Sequence, residues 1–138
     1  MDFGGQNLNI VILSNSDRNI KANDVIKLYQ DVGWWEERNQ QDIEDMLKRV
    51  ESVGAWKDDI LIGFARAVSD GKFRAYIEDV VIHNSYREEG IGTKLISRLL
   101  DELSHIDVIS LFCEEKLIPF YEKNGFKYSK SQFIMHKK

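Results

Sequence analysis

The run Arg87-Glu88-Glu89-Gly90-Ile91-Gly92-Thr93 sets two glycines, a guanidinium and a hydroxyl between an apolar, strand-like stretch and an amphipathic helical one. An α-helix leaves its first backbone N–H groups without partners of its own, and its dipole puts about half a positive charge at that end. An anion satisfies both. Phosphate oxygens come that close only where side chains are small and unusual φ and ψ are allowed, and Gly90 and Gly92 offer both. The run therefore reads as a phosphate cradle, with Arg87 and Thr93 as further donors. Two other glycine-rich loops fit poorly. A Walker-type loop closes on Gly-Lys-Ser/Thr, whereas Gly92-Thr93-Lys94 has another order. A dinucleotide fingerprint requires a third glycine and a parallel sheet opening on it, and the strands ahead of this run read as antiparallel. By spacing alone, an ordinary helix start is the other reading.

The elements that would position such a cradle follow from hydrophobic period and punctuation. Leu8 to Leu13 is a short apolar run, read as a strand. Asn23 is a candidate cap for a helix carrying Val25, Ile26, Leu28, Tyr29 and Val32, which Gly33 would end. Behind a second cap candidate, Asn39, the residues Ile43, Met46, Leu47 and Val50 recur at helical spacing, with Gly54 as the expected stop. Between these helices lie Trp34 and Trp35, which either line a pocket or anchor the helix pair to the core. From Ala55 to Ile82 the pattern is that of strands, with turns at Lys57 to Asp59 and Ser69 to Lys72, so an antiparallel meander is expected. A helix from about Gly92 to Ser104 would bury Leu95, Ile96, Leu99, Leu100 and Leu103. A strand over Asp107 to Cys113, a short helix over Lys116 to Gly125 and a final strand near Phe126 to Met135 complete the chain. Strand, crossover helix and strand make a parallel pair beside the meander, and the class is mixed α+β.

With 138 residues, 43% hydrophobic and 11% aromatic, the chain suits a single domain over residues 1–138 with a substantial core, residues 1–7 being loosely held. No run of roughly 18 apolar residues is present, and the first residues lack basic and apolar regions. Neither a membrane span nor a signal peptide is expected, and the expected location is cytoplasmic. The formal net charge of -4 speaks against nucleic-acid binding, which usually shows as a basic excess. Cys113 alone makes no internal disulfide, and His83, His105 and His136 lack ligand-like spacing, so no metal is expected.

The chain resembles the GNAT superfamily of N-acetyltransferases. Arg87, Gly90 and Gly92 match that family's acetyl-CoA loop in register, and the resemblance extends to the strand Ala75 to Ile82, the helix after the loop and the segment Pro119 to Phe126. It spans about Ile60 to Met135. It implies a GNAT-type acyltransferase fold: a central mixed, largely antiparallel sheet flanked by helices, with a parallel strand pair at the acetyl-CoA site. It also implies acetyl-CoA as co-substrate. Carried over residue by residue, the backbone of Val80, Val81 and Ile82 would hydrogen-bond the pantetheine arm, and Val81 N–H would polarise the thioester carbonyl. Arg87, Glu88, Glu89, Gly90, Ile91, Gly92 and Thr93 would hold the pyrophosphate mainly through main-chain N–H groups, with Lys123 as a further cofactor contact. The chain departs from the family pattern at Glu88 and Glu89, where relatives usually carry Gly and a basic residue, and at Glu114, where many place an Asn. The two glutamates should weaken attraction for coenzyme A unless both face solvent.

Acetyl transfer to an amine needs the amine neutral, the carbonyl polarised and the departing sulfur protonated. An alkylamine has a pKa of about 10.4, so a base or water chain must take a proton first. By the resemblance Glu78 is the candidate base, two residues before the pantetheine contacts. Its ordinary pKa of about 4.3 favours relay through a water. Tyr121 matches the family tyrosine that protonates the sulfur, its phenol value of about 10 lying near that of a thiol. Strand alternation puts Asp79 on the face opposite Glu78, where it reads as structural, paired with a backbone or basic group. Cys113 reads as a buried structural thiol. Trp34, Trp35 and Glu78, with Glu36 and Glu37, would form the acceptor side, favouring a small cationic amine. A protein amino group as acceptor and a catalytically silent acyl-CoA-binding module are the alternatives. Related folds often dimerise, so a homodimer is a further expectation, with no nucleic-acid or membrane partner.

Overall fold

A computed structural model describes residues 9–137. Five strands, β1 (Ile10–Ser14), β2 (Glu51–Lys57), β3 (Ile60–Ser69), β4 (Arg74–Ile82) and β5 (Val108–Leu111), pair in that order into one sheet. The first four form the antiparallel meander, and β4 and β5 run parallel. Four α-helices, α1 (Ala22–Val32), α2 (Gln40–Arg49), α3 (Ile91–Glu102) and α4 (Ile118–Lys123), complete the mixed α+β architecture. No helix among the described residues is long and apolar enough to cross a membrane.

Alternation along the strands explains the layers. Ala55, Ile62, Ala65 and Ala67 pack under Leu95, Ile96 and Leu99 of α3. Their neighbours Trp56, Leu61 and Phe64 point the other way, against Val25 and Leu28 of α1 and Ile43 and Leu47 of α2. Small residues on the α3 face let that helix lie close. A Cβ on Gly63 would stand 2.9 Å from a Leu95 methyl. The start of α3 is thereby fixed over the sheet.

Asn39 caps α2 as expected, its side chain accepting the Asp42 N–H at 2.9 Å. Gly33 ends α1 in the left-handed region, at φ 76°. Four expectations need correction. The cap position of α1 is Lys21, not Asn23, and no side chain caps that helix. Gly54 does not stop α2, which ends at Arg49 when Val50 turns extended. Gly54 lies inside β2, where a Cβ would sit 2.9 Å from both Leu61 and Trp56 side-chain atoms. Leu100 is half-buried rather than in the core. No strand forms over residues 126–135; the segment runs unpaired, with Phe133 and Met135 exposed. The first strand begins at Ile10, and its expected start at Leu8, like residues 1–7, lies outside the described residues.

Candidate active site

The site begins where β4 bulges against β3 and loses its β5 partner. Opposite Ala65 of β3 stand two residues, Asp79 and Val80, because Arg66 pairs with Glu78 and Phe64 with Val81. This is a β-bulge, and Asp79 takes a left-handed backbone at φ 55°. On the other side, β4 and β5 pair only from Arg74 to Ile77. β5 ends at Leu111, opposite Ile77, so Glu78 to Ile82 have no strand partner on the β5 side. Unpaired strand amides and carbonyls offer sheet-like bonds to an extended ligand.

That edge leads to the glycine run. Gly90 is the cap residue of α3 at φ 79°, no side chain caps the helix, and nothing lies within 4 Å of where a Cβ would be. The helix start thus combines free N–H groups with open space, which suits a pyrophosphate. Gly92 has a packing task beside the one expected. It lacks the positive φ of Gly90, and a Cβ there would sit 3.2 Å from Cζ of Phe120. Its small size lets α4 dock on α3. Glu88 is itself left-handed, at φ 66°, and exposed; Glu89 is half-buried, and Arg87, Thr93 and Lys123 are exposed.

Behind the loop, a short 3-10 turn over Asn84–Tyr86 is tied to α1. Asp31 accepts the Asn84 N–H at 2.7 Å, and the Asn84 side chain donates to the Asp31 carbonyl at 2.8 Å. His83 Nδ1 accepts the Ser85 N–H at 3.0 Å, and its Nε2 lies 3.4 Å from Asp31. Both ring nitrogens are engaged, so His83 braces the loop rather than offering a base.

Of the two expected catalytic groups, Glu78 sits at the bulge with its side chain 42% exposed, paired to Arg66 Nη2 at 3.0 Å. Asp79 also reaches Arg66, accepting from Nε at 2.7 Å. The left-handed turn breaks the alternation that should have sent the two carboxylates to opposite faces. Its expected pairing with a basic group is present. Burial alone would lower the Arg66 pKa; the hydrogen bond that Arg66 donates to Asp79 and the charges of Asp79 and Glu78 outweigh it and raise it.

Tyr121 lies on α4, which Pro119 helps to start, with its ring edge-on to Phe120 at 4.9 Å and to Phe126 at 6.0 Å. Burial, with a smaller contribution from nearby Cys113, pushes its phenol up to about 12. The near match with a thiol expected from the free value is therefore displaced. Cys113 is exposed beyond the end of β5, not buried as its apolar surroundings suggested, and Glu114 beside it is exposed too.

Trp34 and Trp35 both anchor and stay open. Trp35 donates its indole N–H to Asp79 at 3.3 Å under the Arg38 guanidinium, 3.9 Å from the ring centre. Trp34 packs at 6.5 Å on Tyr29. They remain 36% and 41% exposed, respectively. Glu36 and Glu37 beside them are exposed. Two surface grooves elsewhere, one by Lys21 and Glu44 and one by Arg49 and His105, contain none of the expected site residues. No cluster of three metal-ligating side chains occurs among the described residues.

A strand edge without a partner beside an uncapped, glycine-led helix suits an extended ligand that carries a phosphate at one end. The chain belongs to the Acetyltransferase (GNAT) family, whose profile matches residues 19–126. It is similar to an uncharacterized N-acetyltransferase, ycf52, of Pyropia yezoensis, at 37% identity over 122 residues, 83% of this chain and 70% of the relative. A chloroplastic GCN5-related N-acetyltransferase 2 of Arabidopsis thaliana is 41% identical over 69 residues, 49% of this chain and 27% of that protein. Among solved structures, a GNAT family acetyltransferase of Streptococcus pneumoniae superposes with a TM-score of 0.76 at 26% identity, covering 94% of this chain and 99% of that one.

Proposed function

We propose that the chain transfers the acetyl group of acetyl-CoA directly to the primary amine of a small cationic molecule, both substrates being bound together. The observation that carries this reading is the β4 edge without a strand partner from Glu78 to Ile82, running from the open start of α3 to Glu78. Bound acetyl-CoA supplies an activated acetyl group as a thioester. Main-chain N–H groups around Gly90 and Gly92 hold its pyrophosphate, and Val80, Val81 and Ile82 bond the pantetheine arm. Glu78, exposed at the opening, takes the proton of the incoming ammonium through a water. The amine nitrogen bonds to the acetyl carbon and the carbon–sulfur bond breaks. Tyr121 donates a hydrogen bond to the departing sulfur. With its phenol near 12, against about 8.5 for a thiol, Tyr121 keeps most of its own proton, and the sulfur leaves as a thiolate that takes the second proton released by the acylated nitrogen, giving free thiol and a neutral amide.

The acceptor reading is supported by Trp35, which is bonded to Asp79 next to Glu78 in β4, and by exposed Trp34, Glu36 and Glu37 in the same connection, apolar faces and negative charge that complement an ammonium on a compact apolar body. Release of free thiol from acetyl-CoA, followed with a panel of small primary amines and a lysine-containing peptide, tests it. Turnover on small amines is the expected outcome. Turnover on the peptide alone would move the acceptor to a protein amino group, and coenzyme A binding without turnover on any of them would overturn the transfer.

A further inference from the structure

Two residues other than glycine adopt left-handed backbone on either side of a single hydrogen bond. Trp35 stands at φ 54° and Asp79 at φ 55°, and the Trp35 indole donates to Asp79 Oδ1 at 3.3 Å. Such conformations persist only where the surroundings over-determine them, and they gather at sites of function. The surroundings here are four donors converging on one carboxylate. Besides Trp35, Asp79 accepts from Tyr29 Oη on α1 at 3.0 Å, Arg38 Nη1 in the α1–α2 connection at 3.4 Å, and Arg66 Nε on β3 at 2.7 Å. Its side chain is only 6% exposed.

Three of the donors crowd Oδ2 and Trp35 takes one side of Oδ1, so a carboxylate already shut away from solvent is committed to holding its neighbours. Asp79 is thus no base. Its partners, however, are the groups that frame the opening. Arg66 Nη2 holds Glu78, and the Arg38 guanidinium that reaches Asp79 also covers the Trp35 ring. Burial, followed by Asp79 itself, raises the Tyr29 pKa above its ordinary value, so that phenol stays a donor.

We propose that Asp79 is a positioning residue of the acceptor site: it clamps the Trp34–Trp35 loop to the β4 bulge and, through Arg66, aims Glu78. This rests on reading Glu78 and the tryptophans as the acceptor side of the transfer. The test is Asp79→Asn, because Asn tolerates left-handed backbone while losing the charge and half the acceptor capacity. The acceptor KM should rise tenfold or more while the Kd for coenzyme A stays within twofold, since the cradle is untouched. In an NMR spectrum of indole N–H groups, the Trp35 signal should move and that of Trp56, buried under α1 and α2, should not. Should Asp79→Asn fail to fold, Tyr29→Phe and Arg38→Ala each remove one donor and should raise the acceptor KM about threefold, again without change in coenzyme A affinity. A folded Asp79→Asn protein with an unchanged acceptor KM, or with both substrates weakened equally, overturns the proposal. If the wild type acetylates no amine, the transfer reading falls on its own. The clamp is then decided by the Trp35 signal, which contradicts it by staying in place.

Discussion

Glu88 holds a backbone angle of φ 66° two residues before Gly90 at φ 79°. Left-handed geometry costs a non-glycine residue about 1–2 kcal/mol. A glycine there would remove that strain and lose about 0.5–1 kcal/mol to backbone entropy. The two nearly cancel in stability, which leaves charge to decide the outcome. Glu88→Gly is expected to keep the melting temperature within a few degrees. It should tighten coenzyme A about two- to fivefold at low salt, with the gain shrinking as salt is added, because the carboxylate is exposed and screened. Calorimetry at two salt concentrations checks it, and an unchanged Kd would mean that Glu88 lies away from the phosphates. The residues of this loop were legible in sequence as types and spacing. Their division of labour was not, since Gly92 serves Phe120, a neighbour 28 positions on whose approach only the folded chain displays.

Among the elements, α3 and α4 are coupled through that contact. Gly92→Ala adds a Cβ 3.2 Å from Cζ of Phe120. Ala favours helix over Gly by about 1 kcal/mol, so stability should hold while the Phe120 ring, and with it Tyr121, shifts by a few tenths of an ångström. Misplacing a reacting group is costly. The expected result is a kcat lowered about tenfold with the Kd for coenzyme A within threefold; a weakened Kd with kcat unchanged would mean that the absence of a side chain at Gly92 serves the phosphate and not the fit of Phe120. Elements set by local signals were readable in advance, among them α2 behind its Asn39 cap, the meander with its Asp-Gly turn, and the parallel return through α3. The bulge was not. Nothing in Ile77-Glu78-Asp79-Val80 marks the extra residue, because the left-handed turn at Asp79 is fixed by donors from residues 29, 35, 38 and 66. Likewise Gly54 reads as a helix stop locally, and only the packing of Leu61 and Trp56 shows it to be a strand glycine. The unpaired run over residues 126–135 has a strand-like composition, but composition does not supply a partner edge.

For the molecule as a whole, a net charge of -4 would repel coenzyme A if charge alone governed binding. On the proposed reading, backbone dipoles at the start of α3 attract it instead of side-chain charge. Packing small residues of β2 and β3 against α3 sets the helix start over the sheet, and the end of β5 at Leu111 leaves the β4 edge from Glu78 to Ile82 without a strand partner. The central claim is that this edge and that helix start carry the cofactor. Titrating uniformly 15N-labelled protein with coenzyme A and following backbone amide signals tests it most directly. The largest, saturable shifts are expected on Val80 to Ile82 and on Gly90 to Thr93. Shifts confined to the groove by Lys21 and Glu44 or to that by Arg49 and His105, or no shifts at millimolar coenzyme A, would contradict it.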